Sequence, residues 1–413
     1  MGTKEVEPLD VTTIREDFPV LEREVGGEPL VYLDNAATSQ TPERVIEAIS
    51  HYYRHYNANV HRGIHQLSQE ASIAYEEAHD RVAEFVGADG REEIVFTKNT
   101  TEAMNLVAYA WGLNELGPGD EVVLTEMEHH SSLVTWQQVG KRTGADVKYV
   151  PITEEGYLDV EAARDLITDD TEMVSAVHSS NTLGTVNPIG ELADIAHDHG
   201  AYLFADAAQS VPNRPVDVKE LDVDFAAFSG HKMCGPTGSG VLYGKEHVLE
   251  GMEPYLYGGD MIVKVTFEES EWNELPWKFE AGTPSIAQGI ALAEACDYLD
   301  EIGMKRIQRH EEMLAEYAYD RLTEFDDIEV YGPPGDDRGG LVAFNLEDVH
   351  AHDVASIVND YGVAIRAGDH CTQPLHDVLG VGASVRASFY LYNTREEVDK
   401  LVEAVDAARQ LFA

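Results

Sequence analysis

The sequence predicts an α/β protein, with a large domain on a mostly parallel sheet and a smaller C-terminal α/β domain. Three observations lead there. Short β-type runs alternate with helical patterns between Glu93 and Lys245. Several of these runs are continuous Val, Ile, Leu, Ala and Phe stretches, as expected of strands covered by helices on both faces. Glycine and proline then cluster at 258–259 and 282–284, ahead of a second, shorter set of elements.

The strands of the first set are expected at 93–97, 120–125, 146–151, 171–178, 201–205, 224–229 and 240–243. A long helical pattern covers 286–325, and 331–340 (YGPPGDDRGG) is a turn-rich connection. Beyond it the pattern gives a strand at 340–345, a helix around 352–361, a strand at 363–366 and a last helix from Thr394. The expected domain boundary lies near residue 290. A chain of 413 residues has room for both domains.

Charge narrows the partners. Lys and Arg number 29 against 76 Asp and Glu, a formal net charge of −47. Such a surface repels nucleic acid and anionic membranes. The acidity is spread between apolar segments, so it is not a disordered tail. It suits a heavily hydrated surface of the kind found in salt-rich cytoplasm. Cys234, Cys296 and Cys371 are too scattered for a disulfide framework and lack zinc-site spacing, so no metal is expected. The N-terminus has no apolar signal region, and no run of about 18 apolar residues occurs, so the expected location is cytoplasmic.

Lys232 follows the apolar run Phe225-Ala-Ala-Phe228 and is enclosed by Gly230, Gly235 and Gly238. Most lysines are solvated surface charges. One placed where the chain leaves a buried strand stands at the sheet edge where α/β proteins bind ligands. Partial desolvation there favours the free amine that Schiff-base chemistry requires. Asp206 ends the previous apolar run in the same way. It could be an ordinary helix cap, or a carboxylate held against a pyridinium nitrogen, with Gln209 within reach of the ring's phenolic oxygen.

Asn99 and Glu102 form a capping-box-like start to a helix near Thr100. Its first amides, with the Thr100 and Thr101 hydroxyls, would make a phosphate cradle. His129 and His130 follow the 120–125 strand; they are ordinary loop residues, or metal ligands, though adjacent side chains seldom chelate one ion without further ligands nearby, or, in the sharper reading, His129 stacks on an aromatic cofactor.

The segments S-G-H-K-x-x-G-P-T-G (229–238), D-A-A-Q (206–209), N-T-T-E (99–102), M-E-H-H (127–130) and R-A-S-F-Y-L-Y-N-T (386–394) resemble class V aminotransferase-like enzymes of pyridoxal-phosphate (PLP) fold type I. Within these the chain is similar to SufS-type (group II) cysteine desulfurases, nearly end to end. The resemblance implies that Lys232 carries pyridoxal 5'-phosphate, Asp206 meets the pyridine nitrogen and Gln209 the phenolate oxygen. His129 would stack on the ring and assist proton transfer. Thr101, Ser229 and His231 would hold the phosphate, with Thr283 lent by the other subunit of a homodimer. Asn181 and Arg386 would hold the substrate carboxylate, with Arg366 nearby.

Ile365-Arg-Ala-Gly-Asp-His-Cys371 resembles the group's catalytic cysteine loop, with Asp369 where the family usually has His. Asp369 would oppose a Cys371 thiolate, and a protonated His370 would support it. Cys234 and Cys296 are expected to pack without reacting. The implied reaction converts L-cysteine to L-alanine and a persulfide on Cys371. The sulfur would pass to a SufE- or SufU-like acceptor and an iron–sulfur scaffold, and His350 and His352 lie where some relatives meet a zinc-bearing acceptor. The implied division is an arm over 1–30 packing on the small domain, a cofactor domain over 31–290 and a small domain over 291–413 bearing the Cys371 loop. The rivals are a selenocysteine lyase, another class V enzyme that does not require Cys371, and a scaffold that has lost the cofactor.

Overall fold

The computed structural model describes residues 7–335 and 338–412. Residues 1–6 of the expected arm and 336–337 of the expected connection lie outside the described residues. Seven strands form the central sheet: β1 Ile94–Thr97, β2 Glu121–Thr125, β3 Asp146–Val150, β4 Thr171–Val177, β5 Tyr202–Asp206, β6 Phe225–Ser229 and β7 Gly240–Gly244. Their spatial order is β1-β7-β6-β5-β4-β2-β3. β3, β2, β4, β5 and β6 pair in parallel, and β7 runs antiparallel to both β6 and β1.

The continuous apolar runs are explained by burial on both faces. Along β6, Ala226 and Phe228 enter one core, while Phe225 and Ala227 enter the other. The two-residue pleat thus feeds two helical layers, so neither set of positions tolerates charge.

A second sheet holds β8 Ile328–Tyr331, β9 Leu341–Leu346, β10 Arg366–Gly368 and β11 Ser384–Ser388, in the order β8-β9-β11-β10 and antiparallel throughout. Helices Met304–Leu322, Ala351–Asp360 and Arg395–Phe412 contribute Leu314, Val354 and Leu401 to its core. From the N-terminal segment, Phe18 packs against Tyr298 and Tyr392, with ring centroids 5.9 and 4.7 Å apart.

Two expected elements divide. The 286–325 pattern is two helices, Ile286–Ile302 and Met304–Leu322, because Gly303 takes φ +97°, a conformation that glycine enters without steric cost. The 363–366 strand splits at Ile365. Val363–Ala364 pairs in parallel with Val31–Tyr32, whereas β10 pairs with β11. Two different partners compete for one stretch of backbone, which apolar content cannot reveal. No helix among the described residues is long and apolar enough to cross a membrane.

Candidate active site

The C-terminal ends of β1, β2, β4, β5 and β6 open on one cavity of about 320 Å³. This is where a parallel sheet gathers the ends of its strands and binds ligands. Lys232, Cys371, His129, Asp206, Gln209, Thr100, Thr101, Ser229, His231, Asn181, Arg366 and Arg386 all line it. Thr283 does not. It lines a neighbouring cavity of about 170 Å³ with Lys98, Glu102 and Glu280.

Lys232 ends the single turn Gly230–Lys232 that follows β6. Its Nζ makes no hydrogen bond or ion pair among the described residues. Burial pushes its ammonium down to about 8, against the opposing pull of Asp206. Asp206 is buried at the end of β5, and burial raises its carboxyl above the usual range. No helix follows it, so the helix-cap reading does not apply. Oδ1 accepts the Ala208 N–H at 3.0 Å, and Oδ2 has no donor among the described residues. Gln209 gives one amide hydrogen to the Ala36 carbonyl at 2.6 Å and keeps a second to donate.

The helix start is partly spent within the chain. Asn99 caps Thr100–Val107 by accepting the Glu102 N–H at 2.9 Å, and Glu102 Oε2 accepts the Lys98 N–H at 2.6 Å. The Thr100 N–H goes to Ser229 Oγ at 2.9 Å. The expected cradle is therefore narrower, keeping the Thr101 amide and hydroxyl with Ser229 and His231. Gly240 makes room for it, since a Cβ there would stand 2.5 Å from Asn99 Cα.

His129 caps helix His130–Thr143. Its Nδ1 accepts the Ser131 N–H at 3.1 Å, so the neutral ring carries its proton on Nε2. Burial, with Lys232 close by, lowers its pKa to about 4.

Cys371 is exposed, on a loop where Gly368, His370 and Cys371 take φ of +139°, +49° and +59°. Left-handed backbone at two non-glycine residues costs on the order of 1–3 kcal/mol each, and surrounding contacts must hold it. Asn181 Nδ2 donates to the His370 carbonyl at 2.7 Å, the His130 N–H to the Cys371 carbonyl at 2.8 Å, and the Cys371 N–H to Asp369 Oδ1 at 3.1 Å. His370 is buried, and its Nε2 meets Ser384 Oγ at 3.0 Å. Burial, with Arg386 and His376 nearby, holds its pKa far below the ordinary value. That corrects the expectation of a protonated His370 beside the thiol, because an imidazolium there would be desolvated and repelled. Cys234 and Cys296 are buried, and burial pushes both thiols up.

Asp34 was given no role from sequence, and the tie of His130 to the thiol loop was not foreseen. Asp34 ion-pairs Arg366 at 2.8 Å and Arg386 at 3.3 Å. His130 Nε2 accepts the Gln373 N–H at 3.0 Å, across 243 positions of sequence. The only available signal was nearness to recognisable segments.

The groups present fit pyridoxal phosphate: an amine, an open carboxylate oxygen as acceptor, a second amide hydrogen on Gln209, and hydroxyl and amide donors at one end. Arg386 Nε and Asn181 Oδ1 are buried without partners among the described residues, as a site for a substrate's polar end would leave them.

The class-V aminotransferase family model matches residues 31–401. The chain is 72% identical to the probable cysteine desulfurase of Halobacterium salinarum and 70% identical to the cysteine desulfurase of Haloferax volcanii, over 100% of each chain. The apo cysteine desulfurase structure from Thermococcus onnurineus superposes with a TM-score of 0.93 at 41% identity, covering 98% of this chain and 100% of that one. The chain belongs to the class-V aminotransferase family and, within it, to the cysteine desulfurases, which are pyridoxal-phosphate enzymes.

Proposed function

We propose that this chain converts L-cysteine to L-alanine and leaves the sulfur as a persulfide on Cys371, for delivery to a SufE- or SufU-like acceptor in iron–sulfur assembly. The observation that carries this is the exposed Cys371 on the wall of the cavity that Lys232 and Asp206 line. A class V enzyme without sulfur chemistry has no use for a tethered thiol there.

When bound, the cofactor supplies an electron sink for the substrate's Cα–H bond. Asp206 Oδ2 is the open acceptor for a ring N–H. Thr101, Ser229 and His231 anchor the phosphate, and Thr283 of a second copy completes it in a homodimer. Arg386 and Asn181 fix the amino acid by its carboxylate. Lys232, its ammonium brought down to about 8 by burial, takes the proton from Cα and returns it. His129, neutral with Nε2–H, contacts the ring and relays protons at the substrate. The Cys371 thiolate attacks the substrate sulfur: an S–S bond forms as the Cβ–S bond breaks, and the departing electron pair with a proton completes the methyl group of alanine.

In this reading residues 31–290 hold the cofactor and 291–413 carry the thiol, with the arm over 1–30 assigned to packing on the small domain. The composition supports a cytoplasmic protein of a salt-rich cell. The test is turnover of cysteine by wild type and Cys371→Ala, with persulfide detected by intact mass. Wild type should gain about 32 Da on Cys371 per sulfur transferred, and Cys371→Ala should lose alanine production by two or more orders of magnitude. Unchanged turnover with a reducing thiol present would sink the persulfide mechanism.

A further inference from the structure

Arg366 on β10 and Arg386 on β11 are direct cross-strand partners. Like charges in that register oppose sheet formation unless a counter-charge intervenes. Asp34 is that counter-charge, brought in where its backbone bridges to Ser388. It divides itself unequally. Arg366 Nε lies 3.0 and 3.2 Å from Oδ1 and Oδ2, and Nη2 lies 2.8 Å from Oδ2, so one edge of its fork is filled. Arg386 makes a single contact, Nη2 to Oδ1 at 3.3 Å, and gives Nη1 to the Asn181 carbonyl at 2.8 Å. Its Nε is buried with no partner among the described residues. Each guanidinium spends two of its five N–H groups within the chain, but Arg366 gives both to the Asp34 carboxylate, whereas Arg386 gives one to that carboxylate and one to a neutral carbonyl, so less of the Arg386 charge is met within the chain. Exposure sharpens the contrast: the side chain of Arg386 is 3% exposed and that of Arg366 is 48%.

We propose that Asp34 is a specificity-determining positioning residue: by occupying Arg366 it leaves Arg386 as the guanidinium open to a carboxylate. The site thus selects amino acids with one carboxylate and an uncharged side chain. Both arginines and Cys371 line the same cavity, so a second anionic group reaching toward Cys371 would find Arg366 already neutralised. The inference rests on the amino-acid-binding reading above.

The test is equilibrium binding, by calorimetry on the cofactor-loaded protein, of L-alanine and of L-aspartate, which adds a second carboxylate. In Asp34→Asn, L-aspartate should tighten by about three- to tenfold while L-alanine moves by less than about twofold. The tightening should vanish in the Asp34→Asn/Arg366→Ala double variant, and Asp34→Glu should restore wild-type selectivity. Arg366→Ala alone releases Asp34 onto Arg386 and should weaken both ligands alike; this arm holds even where Asp34→Asn fails to fold. Parallel changes for the two ligands in Asp34→Asn, or tightening that persists without Arg366, would overturn the assignment. Normal L-alanine binding with unaltered selectivity across the variants removes the role of Asp34 alone. Failure of wild type to bind L-alanine or L-cysteine removes the amino-acid reading and this inference together.

Discussion

His130 and Cys371 are joined through their backbones, the His130 N–H donating to the Cys371 carbonyl at 2.8 Å. The turn that presents His129 to the cavity thus also carries one of the ties on the thiol loop. A cavity-lining element and the proposed nucleophile share one anchor, so each constrains the other's position.

Asp369 is the acidic neighbour that the sequence made suspect, and the structure gives it a second duty. Its Oδ1 accepts the Cys371 N–H at 3.1 Å, and its carbonyl accepts the Thr372 N–H at 2.8 Å. Asp369→Asn keeps the acceptor and removes the charge. Alkylation of Cys371 by iodoacetamide at neutral pH should accelerate by about two- to threefold, with the melting temperature unchanged. Asp369→Ala should in addition lose about 1 kcal/mol of stability, because the Cys371 N–H loses its acceptor. An unchanged alkylation rate in Asp369→Asn would show that the carboxylate does not oppose the thiolate.

Lys232 sets a pH dependence for cofactor capture. Burial pushes its ammonium down to about 8. Below that value the protonated form dominates and has no lone pair to offer; above it the free amine is available. Schiff-base formation by cofactor-free protein with pyridoxal phosphate should therefore accelerate as pH rises through about 8 and then level off. An ordinary lysine would keep gaining up to about 10.4. Borohydride trapping with intact mass gives the rate at each pH, and a rise that continued past about pH 10 would mean that Lys232 is not desolvated.

The pair His79–Glu280 is a stability prediction. His79 is fully buried, with Nδ1 at 2.9 Å from the Tyr75 carbonyl and Nε2 at 2.9 Å from Glu280 Oε1. Glu280 also accepts the Phe96 N–H and the Tyr75 hydroxyl, each at 2.7 Å. Both ring nitrogens face acceptors, so the ring and the carboxylate hold each other in place. Glu280→Ala should cost about 3–5 kcal/mol by chemical denaturation, and Glu280→Gln about 1–3 kcal/mol. Losses below about 1 kcal/mol in both would remove the pair from the stability account.

The net charge of −47 predicts a salt response. Raising KCl from about 0.1 M to about 1 M shortens the Debye length from ~10 to ~3 Å and screens the self-repulsion of the acidic surface. The melting temperature should climb across that series. A flat profile would show that the acidic surface carries no salt requirement.

The sequence by itself determined which segments become buried strands and which residues stand at their ends. Apolar runs such as 225–228 encode double-sided burial locally, and the residue that follows each run must lie at the sheet edge. That logic placed Asp206 and Lys232 without any contact information, and the resemblance added Cys371. Tertiary structure alone decided how the groups are paired and charged. Asp34 and Arg366 are 332 positions apart in sequence. Their contact depends on β10 choosing β11 as partner while Val363–Ala364 takes Val31–Tyr32. The neutrality of His370 likewise follows from the depth at which its loop is packed, because removing water from an imidazolium costs more than Ser384 returns. Local pattern records what a residue prefers; its partners and its protons are set by neighbours that only the folded chain brings together.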